Sequence, residues 1–461
     1  MREKSFALKN RTDFGTTGVL SSVSSDTSSG AVPRGKLSPG PGLPATEVAD
    51  HQLARVHDGL VQLVAENGYD GVKVRDIVRV AGISSRAFYE LFADKEGCFL
   101  QSYDLIARRA TRRLVNAQGG AEGSRERLRR SFDAVVNGIE REPGGARLAL
   151  VEVYAAGEAA SEHAWRAERV LVGMLAEAFS RPPEGVVLPP LVLEGVAAGV
   201  AAVVRRRLLD GRISQVRTLK GELVDWAFSY FDKTAGSLAQ LDRRGLPVGK
   251  TFVPMTLETL DGEEPSLQVA DRARVLAAIA ELTVADGYRG LTIPRIRSAA
   301  GITRRRFDAV FEDVEDGYLT AVELRVQEAL VEAEYARARA ESWAGGVYRV
   351  ISTLCDRIGA DAFLAKACRM DDGPDGENAA RLQQRLTAAI LDLIEDGAPA
   401  PGATLLAREA SANALWGLFY RHNVRDWVLR RKIAATLSYM VLAPAIGAPA
   451  SLAAIQAEQR R

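Results

Sequence analysis

Two stretches of the chain concentrate side chains suited to recognising an anion. One holds Lys73, Ser84, Ser85, Arg86, Tyr89 and Lys95, and the other holds Thr303, Arg304, Arg305 and Arg306. A guanidinium can read guanine through two parallel donors, whereas contacts to phosphate fix register without reading sequence. That is recognition chemistry rather than bond-making chemistry. Constellations for bond making are missing: His51, His57, His163 and His422 are scattered, and no Cys–His spacing fits zinc. No Gly-rich phosphate loop follows a strand. An enzyme is therefore not expected, and neither a metal nor a cofactor.

The elements around the first stretch follow from residue type. Val74 to Val80 reads as a short helix with Ile77 and Val80 inward, Gly82 suits a left-handed helix end, and Ile83 plugs the turn. Ser84 stands at the N-cap of a second helix, Ser85 to Phe92, whose inward side is Phe88, Leu91 and Phe92. A helix, a Gly-containing turn and a helix make a helix-turn-helix, whose second helix enters the major groove N-terminus first.

The pattern occurs twice. A shift of 219 residues brings Gly68-Tyr69 onto Gly287-Tyr288, Ala81-Gly82-Ile83 onto Ala300-Gly301-Ile302, and Phe88 and Phe92 onto Phe307 and Phe311. Over Gly68 to Glu96, 12 of 29 positions are identical without a gap, where chance gives about two. The period is too long for a solenoid, so a whole domain is duplicated.

The string Gly68-Tyr69, Ala81-Gly82-Ile83-Ser84, Phe88-Tyr89, Phe92 and Lys95-Glu96 resembles the tetracycline-repressor (TetR) family of transcriptional regulators. The resemblance implies that Tyr89 and Lys95 hold phosphates, that Ser85 and Arg86 face bases, and that a double-stranded DNA operator is the partner. Lys73 departs from the family, which has a Ser or Thr cap there; Lys cannot accept that hydrogen bond but suits a neighbouring phosphate. In the second copy Asp308 and Val314 replace the tyrosine and lysine, and residues 307–316 carry five acids and no base. Yet Arg289 to Arg306 holds six arginines and no acid. Two readings stay open: a base-reading second copy, through Thr303 to Arg306, or a degenerate one kept for packing.

Composition fits two such units. The 461 residues are 47% hydrophobic and 26% charged with a net charge of +1, so any DNA-binding face must be a local basic patch. Abundant Ala, Leu and Arg favour helices. The expected fold is all-α: two tandem units, each a three-helix helix-turn-helix domain followed by a helical ligand-binding and dimerisation domain. Residues 1–48 read as a disordered tail, 49–110 and 268–330 as the two helix-turn-helix domains, and 111–238 and 331–447 as the two bodies. Residues 239–267 read as a Gly/Pro-rich linker and 448–461 as a tail. Cys98, Cys355 and Cys368 are too few for a disulfide framework, and no apolar stretch is long enough to span a membrane. The cytoplasm is the expected compartment.

All five tryptophans fall in the bodies. Tyr154, Trp165, Trp226, Trp343 and Trp416 are candidate walls of a pocket for an unknown small-molecule effector, because an aromatic suits an apolar pocket that keeps one polar contact. The last two long helices of each half, about 191–209 with 219–231 and 404–421 with 425–440, look like bundle partners. In the TetR family such helices pair two subunits. Here one chain carries all four, so an intramolecular pseudo-dimer is expected, with a homodimer of whole chains also open.

Overall fold

The computed structural model describes residues 45–180, 186–231, 267–368, 377–399, 405–422 and 427–461, with single positions 234, 237, 238 and 373. Of the expected tail over 1–48, residues 1–44 lie outside the described residues, and 45–48 are helical instead; of the expected linker over 239–267, residues 239–266 lie outside them and Leu267 begins a helix. Every regular element among the described residues is helical.

Helix α1 (Ala45–Gly71) buries Val56, Leu60 and Val64, which recur every four residues and so share one face. Against it pack α2 (Val74–Ala81), through Ile77 and Ala81, and α3 (Ser85–Leu91), through Phe88. Helix α4 (Lys95–Gln118) adds Cys98, Phe99 and Tyr103 to the same core. Val80, expected inward, is 38% exposed, although a Cβ on Gly59 of α1 would stand 3.2 Å from its side chain.

The first body comprises α5 (Ser124–Arg141), α6 (Pro143–Arg147), a π-helical turn (Leu148–Glu152), α7 (Val153–Ala155), α8 (Glu158–Ser180), α9 (Pro190–Leu209) and α10 (Ile213–Phe228). The second half begins with α11 (Leu267–Asp286), a 3-10 turn (Tyr288–Gly290), α12 (Ile293–Ala300), α13 (Arg304–Asp308) and α14 (Val314–Ala338). It continues through α15 (Trp343–Ala360), α16 (Ala362–Ala367), α17 (Glu377–Glu395), α18 (Leu405–Arg421), α19 (Trp427–Ile446) and α20 (Ala448–Arg460).

Both helix-turn-helix turns close alike. Gly82 and Gly301 take φ of 60° and 64°, a left-handed conformation in which a Cβ would be crowded. The next N–H groups then reach back, Ile83 to Val78 O at 3.2 Å and Ile302 to Arg297 O at 3.1 Å. Ser84 Oγ accepts from the Ala87 N–H at 3.1 Å and Thr303 Oγ1 from the Arg306 N–H at 3.4 Å. Each such cap stabilises its helix by about 1 kcal/mol.

The largest hydrophobic cluster is shared by the two halves, uniting Phe179, Val196 and Trp226 with Ala410, Leu418 and Tyr439. At its centre α9 lies against α18 and α19. A Cβ on Gly199 would stand 2.6 Å from the Ala410 carbonyl oxygen, and one on Gly195 would collide with Met440, so these glycines permit the close approach. Trp226 Nε1 donates to Ser411 Oγ at 3.1 Å, and Tyr230 Oη to Met440 O at 2.7 Å. At the rim Arg207 makes a two-pronged bond to Glu409, both arms 3.1 Å.

Two expected boundaries need correction. Helices α4 and α14 run unbroken through the divisions at 110/111 and 330/331, so head and body share a long helix in each half. Residues 448–461 are not a tail. They form α20, which buries Leu452 and Ile455 against α15 and α19 and pairs the buried Glu458 with Arg349 at 2.6 Å.

Candidate nucleic-acid interface

Helix α3 is held from behind and open in front. Phe88 and Phe92 fill the core, and Arg55 from α1 donates to the carbonyl oxygens of Ala81 and, at 2.8 Å, Gly82. The turn between α2 and α3 is thereby tied to α1. Facing solvent are Ser84, Ser85, Arg86 and Tyr89 on the α3 side and Lys73, Arg75 and Arg79 on the α2 side. The Arg86 side chain is 90% exposed and meets only Glu90, at 2.9 Å. A pair this open contributes at most about 1 kcal/mol, so an approaching base edge can displace it. Tyr89 is 58% exposed, its ring edge-on to Phe88.

Lys73 does not cap α2 with its side chain. Instead the Lys73 N–H donates to Asp76 Oδ2 at 3.3 Å, which leaves the ammonium exposed at the helix start. Lys95, the first residue of α4, is more constrained. Its Nζ donates to Tyr69 O at 3.0 Å and sits 3.8 Å from the Tyr69 ring centroid. Burial holds the Lys95 pKa below the ordinary lysine range, opposed by the charge of Asp70. An ammonium has three donors, so one bond to Tyr69 leaves others for a phosphate at this helix N-terminus. Arg75 and Arg79, also exposed, were within the basic stretch but were not singled out by spacing.

The second site differs in ways its sequence hid. Arg306, expected at the groove, turns back to α11, where Nε donates to the buried Asp271 at 2.5 Å. Hydrogen bonds from Arg306 hold that carboxyl below the usual range. Arg304 pairs with Asp308 at 2.9 Å and Arg295 with Asp286. Arg289 donates to Ala155 O of the first half at 2.8 Å. Arg305, which aligns with Arg86, remains exposed beside the cap residue Thr303. Helix α13 is five residues long against seven in α3. The expected basic cluster is thus largely neutralised within the protein. The acids after it serve partly as caps, Asp313 accepting from the Asp316 N–H at 2.8 Å.

The five candidate pocket aromatics are dispersed through the bodies. Trp343 donates to Ile394 O at 2.8 Å, Trp416 to Thr387 Oγ1 at 3.0 Å, and Trp226 across the shared core to Ser411. Their polar atoms already have protein partners, and the three pack in the shared core or along its edge. Tyr154 lies under the Arg205 guanidinium, 5.3 Å from its ring centroid, and Trp165 is half-buried on α8. The surface of the first half carries clefts on either side of α4. One of about 480 Å³ includes His57, Asp104, Arg108 and Arg109, and one of about 370 Å³ includes Arg113, Asn116, Asn137 and Arg141. None of the five aromatics lines either.

Among the described residues no group of acidic, histidine or cysteine side chains is arranged to hold a metal ion, and no helix is long and apolar enough to cross a membrane. All three cysteines are free thiols.

Residues 58–101 match the model of the bacterial regulatory proteins of the tetR family. Among solved structures, the transcriptional regulator FadR from Bacillus subtilis in complex with stearoyl-CoA is 15% identical, covering 38% of this chain and 96% of its own, with a TM-score of 0.35. The fatty acid degradation regulator FadR from Bacillus halodurans is 16% identical, covering 37% of this chain and 97% of its own, with a TM-score of 0.33. No curated protein matches the sequence. The matched segment spans α2, α3 and the flanking parts of α1 and α4, and it contains Arg86, Tyr89 and Lys95. Residues 58–101 are thus a DNA-binding segment of the type found in bacterial regulatory proteins of the tetR family.

Proposed function

We propose that this protein is a sequence-specific transcriptional regulator in which two TetR-like units of one chain act as an intramolecular pair. The observation carrying the DNA-binding part is the exposed face of α3, Ser85, Arg86 and Tyr89, braced from behind by Phe88, Phe92 and Arg55. Arg86 and Ser85 read base edges, while Tyr89, Lys95 and Lys73 hold phosphates. The pairing part is supported by the shared core, in which α9 and α10 of one half and α18 and α19 of the other occupy the places of a dimer's bundle helices. A small-molecule effector acting in the helical body, and repression as the outcome, complete the proposal.

A second reading is favoured by the neutralised arginines around α13. With Arg306 on Asp271 and Arg304 on Asp308, the second helix-turn-helix serves chiefly as packing, and only Arg305 contributes to DNA. Selection of bound duplexes from genomic fragments by the full chain, followed by titration at several salt concentrations, tests the proposal. A preferred site at least a thousandfold tighter than bulk DNA, in the range usual for specific binding, is expected. Equal affinity for all fragments would contradict it.

A further inference from the structure

We propose that Glu152 is a positioning residue for DNA binding, through which the helical body sets the Lys95 phosphate contact. The inference rests on the DNA-binding function proposed above. Glu152 is a buried carboxylate in the body, 8% exposed, at the end of the π-helical turn. Its Oε2 accepts from the Tyr69 N–H at 3.0 Å, and its Oε1 accepts from Arg147 Nε at 3.1 Å. Tyr69 follows Gly68, whose φ of 69° breaks the helical path of α1 just before the Tyr69 N–H that Glu152 accepts from. The far side of the same residue receives Lys95: Nζ donates to Tyr69 O and lies over the Tyr69 ring. One residue of the head is therefore gripped by a carboxylate from the body and by the ammonium assigned to phosphate.

The surroundings make this a route rather than an isolated bond. The π-helical turn touches α1, α4 and α9, and α9 is the helix that meets α18 and α19 of the other half. Three residues beyond the turn, Ala155 O accepts from Arg289 of the second helix-turn-helix. The segment 152–155 thus joins both heads to the shared core. A π-helical turn holds one residue more than an α-turn and often marks a functional site. Relaxing it by one residue rotates the following side chains by about 100°. That rotation takes Glu152 off Tyr69, frees the Gly68–Tyr69 turn, and lets Lys95 lose its place.

The test is a double-mutant cycle on the full chain, read by DNA affinity and its salt dependence. Glu152→Met approximately preserves side-chain volume but replaces the carboxylate with a weakly accepting thioether; Glu152→Gln keeps one oxygen acceptor. Lys95→Ala is expected to flatten the plot of log affinity against log salt by about one unit. Glu152→Met is expected to weaken binding about tenfold with the same flattening, and to add nothing to Lys95→Ala. Glu152→Gln restores the wild-type slope. A Glu152→Met protein with the wild-type slope, or with an effect that adds in full to Lys95→Ala, overturns the proposal while leaving the functional reading intact. A wild-type chain that binds no DNA overturns both. Amide exchange in the wild type provides a check that needs no variant: the Tyr69 amide is expected to be as protected as the α1 core, and exchange at the rate of an open loop overturns the proposal.

Discussion

At the scale of single residues, exposure sorts the roles. Arg86 lies at the open end of α3 with only a solvent-exposed partner, so Arg86→Ala should cost roughly 1–3 kcal/mol of DNA affinity and relax preference at one or two base pairs. Loss of Lys95 should instead weaken all sequences alike; a shifted preference with an unchanged salt slope would show the two roles to be reversed. His57 supplies a pH signature. Burial, with Arg109 and Arg108 nearby, lowers its pKa to about 4, and its Nδ1 lies 2.5 Å from Ser102 Oγ. A base whose folded pKa is depressed resists protonation while the unfolded chain accepts it. Stability from this residue is therefore full above about pH 6.5 and declines as pH falls from there toward 4, by at most roughly 3 kcal/mol. Melting temperatures of the wild type and His57→Gln between pH 7 and 4 should converge as pH falls. Parallel curves would remove His57 from the account. Much of this scale was legible in the sequence: Ser84 and Thr303 cap as their types imply, and Arg86 and Tyr89 are exposed. Arg306 was not, because Asp271 lies 35 positions away and only the packing of α11 brings the two together. Glu152 likewise carried no signal, since a lone glutamate in an Ala- and Val-rich stretch reads as an exposed charge.

At the scale of elements, periodicity marked the helices better than their ends. The 219-residue shift brings α2 and α3 onto α12 and α13, and the four long helices of the shared core fall within a few residues of where apolar spacing put them, except that α10 starts six residues earlier and α19 ends six residues later. Helix α20 was misread because Ala, Gln and a single early Pro look like a tail when only Leu452 and Ile455 are apolar anchors. Its stability comes from tertiary burial against α15 and α19, which no local pattern reveals. Deleting residues 448–461 uncovers those helices and leaves Arg349 without Glu458. A fall in melting temperature of at least several degrees is expected; an unchanged transition would return the segment to the status of a tail.

At the scale of the whole molecule, the shared core decides how the heads are presented. Gly199→Leu would drive a side chain into Ala410 and Trp226, so it should destabilise the fold by about 3 kcal/mol or more in chemical denaturation. An unaltered midpoint would mean that α9 and α18 do not meet as described. The proposed pairing also sets the symmetry expected of the DNA site. A two-fold homodimer presents identical helices to identical half-sites about 34–36 Å apart. This chain presents Ser85-Arg86-Ala87 from α3 and Arg304-Arg305-Arg306 from α13, of which Arg306 is held by Asp271. The most direct measurement of the central claim is the mass of the protein–DNA complex on a duplex selected from random sequence. One chain bound to one asymmetric duplex, with one half-site altered by Arg86→Ala and the other weakened by Arg305→Ala, is the predicted result. Two chains bound to a perfectly palindromic site would contradict it.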